Sequence, residues 1–488
     1  MLFCCAWELL WAISIFILGG RKMSFYDWLY NFDQKVNAIA WGWPTIILIL
    51  GAGLVLSIGI KFAQFGHFGH MMKNTIGAIG KAKKTDDKGA VTPFQAVCTA
   101  LAATVGTGNI AGVAGAIALG GPGAVFWMWV AALLGMATKF SEVVLAINFR
   151  ERNANGDWVG GPMYYIKNGL GKNWKWLGAV FSILAVVASF GIGNIAQINS
   201  IASSVNSAAA VVSPNVNTNM VAIITGIVVA VIVALVSIGG IKRIGQVTER
   251  LVPVMSVIYI VACLVVIFAH ISSIGRVFAM IFKAAFAPQA VVGGGLGITI
   301  STAIKKGCAR GLFSNEAGLG SAPIAHAAAD TDDPVKQGLY GMFEVFMDTI
   351  VICTLTALTI LISGTNITYG TGTNQVLSVA AYSTVFPQGF SSFIIAIALA
   401  LFALTTIISW NLYGSRCCEY LLGSKAAMVY KVLFLPVIIM GATMDLTLAW
   451  NISDTLNGLM AIPNLIALLA LCPVVFKLTR EYFSNKLN

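Results

Sequence analysis

Eleven apolar stretches recur along this chain of 488 residues: 44–65, 92–118, 123–149, 175–210, 219–239, 247–270, 295–327, 338–363, 390–413, 426–446 and 454–477. Each is near or above the roughly 20 residues that a helix needs to cross a bilayer. In lipid no water pairs with exposed N–H and C=O groups, so such stretches are read as helices. Composition excludes the soluble alternative. Only 10% of the residues are charged, against about 25% in water-soluble domains, and the mean hydropathy is +0.85. The expectation is an all-α polytopic membrane protein with about eleven transmembrane helices.

The charges set the orientation. Lys73, Lys81, Lys83, Lys84 and Lys88 fall in 66–91, and Arg150, Arg152, Lys167 and Lys172 in 150–174. Lys242, Arg243 and Arg250 follow in 240–250, Arg416 and Lys425 in 414–425, and Lys477, Arg480 and Lys486 at the C-terminus. Loops 206–218 and 364–389 have neither Lys nor Arg. This alternation predicts a cytoplasmic 66–91 loop and a cytoplasmic C-terminus. It also accounts for the net charge of +11 without nucleic acid. Met1 to Gly20 is apolar, but Arg21-Lys22 follow it, whereas a signal peptide carries its charge in front. Either Met23 begins the natural chain or residues 1–22 form one more membrane segment. Nine cysteines, five of them in apolar segments, show no CxxC or Cys/His metal spacing and are read as small apolar residues.

One bilayer-length run is interrupted. Within Phe94–Leu119, Gly106-Thr107-Gly108-Asn109 reads as a break, with Gly112 and Gly115 beyond it. Broken backbone at membrane depth is tolerated where protein buries it or it lines a cavity. It frees N–H groups for an anion and C=O groups for a cation. A small-residue face for helix packing is the other reading of the same glycines. An internal echo favours the first. Asn109-Ile110-Ala111-Gly112-Val113-Ala114-Gly115-Ala116 resembles Asn315-Glu316-Ala317-Gly318-Leu319-Gly320-Ser321-Ala322. Each copy follows a Gly-containing turn, the second being Arg310-Gly311-Leu312-Phe313-Ser314. The copies lie in the second and seventh spans and cross in opposite directions, the mark of an inverted five-plus-five repeat.

These residues resemble the alanine or glycine:cation symporter family. The likeness rests on Val105 through Ala114, on Gly160-Gly161-Pro162-Met163-Tyr164-Tyr165, on Gly191-Ile192-Gly193-Asn194-Ile195-Ala196-Gln197, and on Arg310 through Gly318 with Ser321 through His326. It covers residues 24–480 in order. It departs at residues 1–22 and at Lys305-Lys306, where a more apolar pair is expected. The resemblance implies a LeuT-like fold and import of alanine, and as alternatives glycine or D-alanine, with sodium or protons across the plasma membrane of prokaryotes. The expected organisation is an N-terminal extension and amphipathic segment over 1–43 and an extra first helix with a basic loop over 44–91. The inverted repeats then occupy 92–270 and 271–477, and a cytoplasmic tail 478–488.

An amino-acid zwitterion needs donors for its carboxylate and acceptors for its ammonium. Amides of Gly106, Thr107 and Gly108 at the start of a half-helix suit the carboxylate, helped by the Thr107 hydroxyl and the Asn109 amide. Gln197 is either a substrate ligand, which the resemblance supports, or an interhelical hydrogen bond. Carbonyls from Gly311 to Ser314 and Asn315 are expected to receive the ammonium. Trp410 is a wall limiting side-chain size or an interfacial tryptophan. By analogy with the fold, sodium is expected at the Ala102 and Val105 carbonyls and the Thr405 and Thr406 hydroxyls, with Thr104 and Asp348 as further candidates. The threonines can instead bond back to their own helix. Intramembrane carboxylates are functional by default, which singles out Glu142, Glu316, Glu344 and Asp348. Structural pairings are the alternative: Asp348 or Glu344 with Lys305 or Lys306, and Lys139 with Glu142. His270 and His326 fall at span ends. No Walker, HExxH or GxSxG motif appears. The expectation is a carrier rather than an enzyme, with a small neutral amino acid, sodium and the bilayer as partners, and without a cofactor or an obligate protein partner.

Overall fold

The computed structural model describes residues 25–486 except 79–84, 86, 88, 214, 288–297, 371–375 and 445. The apolar 1–22 segment and the Cys4-Cys5 pair lie outside these residues. Among the described residues, nine helical stretches are long and apolar enough to cross a membrane, and a bent pair makes a tenth crossing. The eleventh expected span, 295–327, is not one continuous apolar helix. Lys305, Lys306 and Arg310 lower its hydropathy, and its helix stops at Asn315.

The extra first crossing is α1 (Phe25–Ala40) followed by α2 (Trp43–Gly59), and α1 packs on the last helix. The first repeat opens at α3 (Pro93–Thr104). Thr92 and Gln95 cap it reciprocally and Pro93 occupies its first turn, an arrangement that satisfies amides otherwise left without partners. After the break come α4 (Ala111–Gly120), α5 (Gly123–Asn148), α6 (Lys175–Phe190), α7 (Ala196–Val212), α8 (Thr218–Ser237) and α9 (Gly240–Ala269). Between the repeats lies α10 (Ile274–Phe286). The second repeat runs through α11 (Ile300–Asn315), α12 (Pro323–His326), α13 (Pro334–Val345), α14 (Thr354–Ile362), α15 (Gln388–Leu422), α16 (Ser424–Gly441) and α17 (Leu446–Lys486).

Two groups of helices result. α5 packs on α11, α13 and α2, while α15 packs on α6, α7 and α16, and α8 on α16. α3 touches both groups, the first through α13 and the second through α15, and packs on α9. Buried side chains fill the space continuously, and the outward-facing Ile, Leu, Val and Phe of α8, α9 and α16 remain exposed as a lipid-facing surface requires. At one end Val91 pairs in parallel with Ala329, joining the start of α3 to the segment after α12. The seven described cysteines are free, as expected from their apolar settings.

The two breaks have different causes. In the first, α3 and α4 are bent by 58° across Val105–Ile110. Gly106 is extended there and its N–H donates to Asn109 Oδ1 at 2.9 Å. The second break lies beyond Arg310–Ser314, which stays helical. Gly311 serves packing: a Cβ there would sit 3.2 Å from the Met128 carbonyl. The backbone turns left-handed at Glu316 (φ 55°), Gly318 (88°) and Gly320 (81°). A Cβ on Gly320 would also meet Pro162 Cγ at 2.5 Å. Gly320→Ala therefore combines left-handed strain, worth about 1–2 kcal/mol, with a collision. Its thermal midpoint in detergent is expected several degrees below that of the unaltered protein, and below that of Gly69→Ala, where a Cβ meets open space.

Candidate functional site

The breaks face each other. A narrow cavity of about 10 Å³ is lined by Ala103, Thr104, Gly106, Gly108, Ile192, Gln197, Phe313, Ser314, Glu316 and Thr406. Four helical segments contribute: the first break, the Gln197 region of α7, the end of α11, and α15. The Gln197 carboxamide crosses between two of them. Its Oε1 accepts from the Thr107 hydroxyl at 3.1 Å and from the Thr107 N–H at 3.4 Å. Its Nε2 donates to the Ile192 carbonyl at 3.0 Å. That carbonyl lies in a π-turn over Gly191–Ile195, where the widened backbone spares acceptors.

Thr406 sits against the first break. Its hydroxyl lies 3.1 Å from the Ala102 carbonyl, 3.3 Å from that of Ala103 and 3.0 Å from that of Phe402. One hydroxyl proton can satisfy only one of three carbonyls at a time, so oxygen lone pairs converge here in excess of donors. Thr405, one residue earlier, bonds back to Leu401 and Phe402 of its own helix. Thr104 likewise back-bonds to Ala100 and Leu101 at 3.4 Å. Val105, where α3 stops, is fully buried.

Asp348 joins the breaks from the far side. Its Oδ1 accepts from Asn109 Nδ2 at 2.6 Å and from the Ser314 hydroxyl at 3.1 Å, and its Oδ2 from the Thr349 hydroxyl at 2.7 Å. It occupies a second π-turn, Phe346–Cys353, whose Asp348 carbonyl also accepts from Asn109 at 3.3 Å. Asp348 thus pairs with polar side chains and not with Lys305 or Lys306. Lys305 instead lies 5.3 Å over the Trp43 ring.

Several expected residues point elsewhere. The Asn109 side chain turns from the cavity to Gly106 and Asp348, and Asn315 turns to Thr349 and to the Ala317 N–H. Gly311 faces Met128 of α5. Trp410 is fully buried and not among the lining residues, and its Nε1 donates to Glu316 Oε1 at 3.0 Å. Ile192 and Phe313 supply the apolar wall in its place. Sequence reading missed Phe313 as a wall because its helical neighbourhood looked like part of the break. Glu316 is the lining carboxylate, and its other oxygen accepts from Ser321. The sequence had singled Glu316 out as one of four intramembrane carboxylates, without assigning it to the cavity.

The remaining carboxylates hold the second break. Glu142 Oε1 accepts from the Gly318 and Gly320 amides, both at 3.1 Å, and from Asn464 Nδ2 at 2.6 Å. Tyr165 in turn donates to Asn464. Lys139 does not pair with Glu142 three residues on; it faces Glu344 at 3.4 Å. His326 is fully buried and reaches Glu344 at 3.1 Å. His270 bonds the Val266 carbonyl at the end of α9, an ordinary helix-terminal contact.

Two interrupted helices in inverted repeats, converging on a cavity at mid-span, define a secondary transporter of the LeuT fold. The crystal structure of MhsT in complex with L-phenylalanine has this fold: the two align with a TM-score of 0.55 at 13% identity, over 79% of this chain and 97% of that one. The chain belongs to the sodium:alanine symporter family, whose model matches residues 26–488. It is 46% identical over 459 residues to the sodium/alanine symporter AgcS of Methanococcus maripaludis, covering 93% of this chain and 97% of that protein. It is 38% identical over 452 residues to the probable sodium/glutamine symporter GlnT of Bacillus subtilis, covering 92% and 90%. The protein is thus a multi-pass, cation-coupled amino-acid symporter and not an enzyme.

The site geometry separates two adjacent glycines. A Cβ on Gly106 would lie 2.7 Å from the Thr406 hydroxyl, whereas one on Gly108 would lie 3.6 Å from the Phe313 ring. Gly108→Ala is expected to transport at a rate within about threefold of the unaltered protein, an ordinary contact having been added. Gly106→Ala and Gly108→Leu are expected to lose uptake, the second by filling the cavity. Initial uptake rates normalised to monodisperse protein check this order, and equal rates for Gly106→Ala and Gly108→Ala would contradict it.

Proposed function

We propose that the protein imports small neutral amino acids, alanine first among them, driven by an inward sodium gradient. The observation that carries the reading is the meeting of the two facing breaks on one cavity, with polar groups beside the apolar wall of Ile192 and Phe313. Its lining supplies both halves of zwitterion recognition. The substrate carboxylate is assigned to the first break at Gly106, Thr107 and Gly108, where it takes the place of Asn109 and Gln197 on the Gly106 and Thr107 amides, and the ammonium to Glu316 with Ser314. Sodium is taken by the oxygen cluster of Thr406 with Ala102, Ala103 and Phe402, next to Val105. Asp348 is the candidate for a further cation, since its carboxylate bridges both breaks. The name of the AgcS relative supports alanine, and that of the GlnT relative marks how far the substrate differs within the family. Residues 92–270 and 271–477 act as the two inverted repeats of alternating access. The Lys-rich 66–91 segment and the C-terminus lie in the cytoplasm, with the protein in the plasma membrane.

Uptake of labelled L-alanine into proteoliposomes, with and without inward sodium, tests this reading. Sodium-dependent accumulation is expected, with competition by unlabelled alanine stronger than by glutamine. Uptake driven only by a proton gradient would replace the ion, and no uptake of alanine or glycine with either gradient would overturn the substrate. Two substitutions separate the subsites. Gln197→Ala is expected to raise the alanine concentration for half-maximal uptake by about tenfold, the loss of one buried hydrogen-bonding side chain. Thr406→Val is expected to raise the sodium requirement instead, by a similar factor of about ten, with less change in alanine affinity at saturating sodium.

A further inference from the structure

Behind the cavity lies a buried cluster that the substrate reading leaves unused. Lys139 and Glu142 of α5, Glu344 of α13 and His326 of α12 are each completely buried. Glu344 stands between the bases: Lys139 Nζ lies 3.4 Å from its Oε1 and His326 Nε2 lies 3.1 Å from its Oε2. The other imidazole nitrogen, Nδ1, lies 2.8 Å from Nε2 of Gln337, also completely buried.

Glu142, Glu344 and the neighbouring Glu316 surround the amine of Lys139 and the imidazole of His326, all of them buried. Hydrogen bonding shows where a proton can be added. In the orientation seen, Gln337 Nε2 donates to Nδ1, so Nδ1 carries no proton and Nε2–H donates to Glu344. Gln337 Oε1 meanwhile is buried without a hydrogen-bond partner. A half-turn of the carboxamide brings Oε1 to Nδ1, where it accepts from an imidazolium N–H. His326 can therefore gain a proton while keeping both neighbours. Glu142 Oε2 is a second unpartnered buried acceptor in the cluster, and Lys139 Nζ and Glu344 Oε1 face each other without a hydrogen bond. Outside lies a cleft lined by Thr331, Asp332, Asp333, Lys336, Glu481 and Tyr482, at the helix end that carries Gln337.

We propose that His326, with Glu344 and the turning carboxamide of Gln337, is a proton-binding site that sets the pH response of transport. It rests on the reading of the chain as a sodium-driven amino-acid symporter. The added proton bonds to His326 Nδ1, while Nε2–H stays on Glu344, beside Glu142 and Glu316. Those carboxylates, Lys139, Asp348, and the buried hydroxyls of Tyr165 near Glu142 and of Tyr413 near Glu316 and Glu344 complete the titratable surroundings. The site acts through position: Glu142 of the same cluster fastens the amides of the second break, and His326 ends the half-helix beyond it.

The test is sodium-driven L-alanine uptake by the full chain in proteoliposomes from pH 5.5 to 8.5 at a fixed sodium gradient. The unaltered protein is expected to change its initial rate by about threefold or more over this range, as a single titrating imidazole does. His326→Gln keeps a hydrogen-bonding side chain and is expected to flatten the profile while retaining sodium-driven uptake. Gln337→Glu places a carboxylate beside Nδ1 and is expected to move the midpoint about one unit or more to alkaline pH. A merely structural contact does not produce that shift. If His326→Gln fails to yield monodisperse protein, Gln337→Glu alone decides. A flat profile in the unaltered protein, or an unshifted midpoint in Gln337→Glu, overturns the proton site while leaving the symporter intact. Absence of sodium-driven alanine uptake at every pH overturns both.

Discussion

The architecture depends on how a transmembrane chain pairs its backbone where its helices stop. Unpaired N–H and C=O groups in a low-dielectric interior cost several kcal/mol each. The first break solves this within reach of itself: Asn109 takes the Gly106 amide and Gln197 the Thr107 amide. The second imports its partners. Glu142 from α5 binds two glycine amides, and Asn464 from α17 binds both Glu142 and the Gly318 carbonyl. The second break is thereby fastened to α5 and α17. The first is fastened to α15 instead, through Thr406 on Ala102 and Ser409 on the Thr99 carbonyl at 2.8 Å. A relative movement of the two helix groups must reorganise the contacts of the first break with the other group, Asn109 on Asp348 among them.

That division bears on coupling. Gly106 belongs at once to the amide face of the cavity and to the backbone approached by Thr406, so the proposed substrate and sodium sites share one stretch of chain. Two ligands affect each other's binding when both select the same state of a shared element. In the proposed mechanism, sodium between Ala102, Ala103 and Thr406 ties α15 to the same stretch of backbone that receives the substrate carboxylate. Asp348 extends the linkage, because Asn109 of one break and Ser314 of the other meet on one of its oxygens.

Periodicity and length sufficed for ten of the eleven expected crossings, since bilayer-long apolar runs admit few structures. Gly106 and Gly108 announced the first break, although the same glycines could equally have formed a packing face, and Gly106 does also make room for Thr406. The second break was displaced in the reading, for a physical reason. Gly311 and Gly318 look alike in a sequence, yet Gly311 clears room for Met128 and Gly318 supplies a left-handed turn. Side-chain direction was the other illegible quantity. Asn109 and Asn315 do stand at the breaks, but they serve Asp348, Thr349 and their own backbone. Trp410 lies behind the wall because Glu316, whose carboxylate needs a donor, claims its indole N–H. Lys139 was matched by spacing to Glu142, whereas the glycine amides of another helix had taken that carboxylate.

The polar core of this protein is rich in carboxylates. Glu142, Glu316, Glu344 and Asp348 are buried together with Lys139 as the fixed ammonium among them. A stable soluble core would remove such an excess, because replacing buried ions by apolar groups is often neutral or stabilising. A cation-coupled carrier has the opposite need. Its states must differ in how well they hold a mobile cation, since a ligand shifts an equilibrium only by its differential affinity for the two states. In the proposed carrier, Glu142 is fastened to the amides of the second break and moves with them, so that access and cation affinity change together. The proposed proton site at His326 and the proposed sodium site at the first break then act on one carboxylate-lined core from two sides of one cavity.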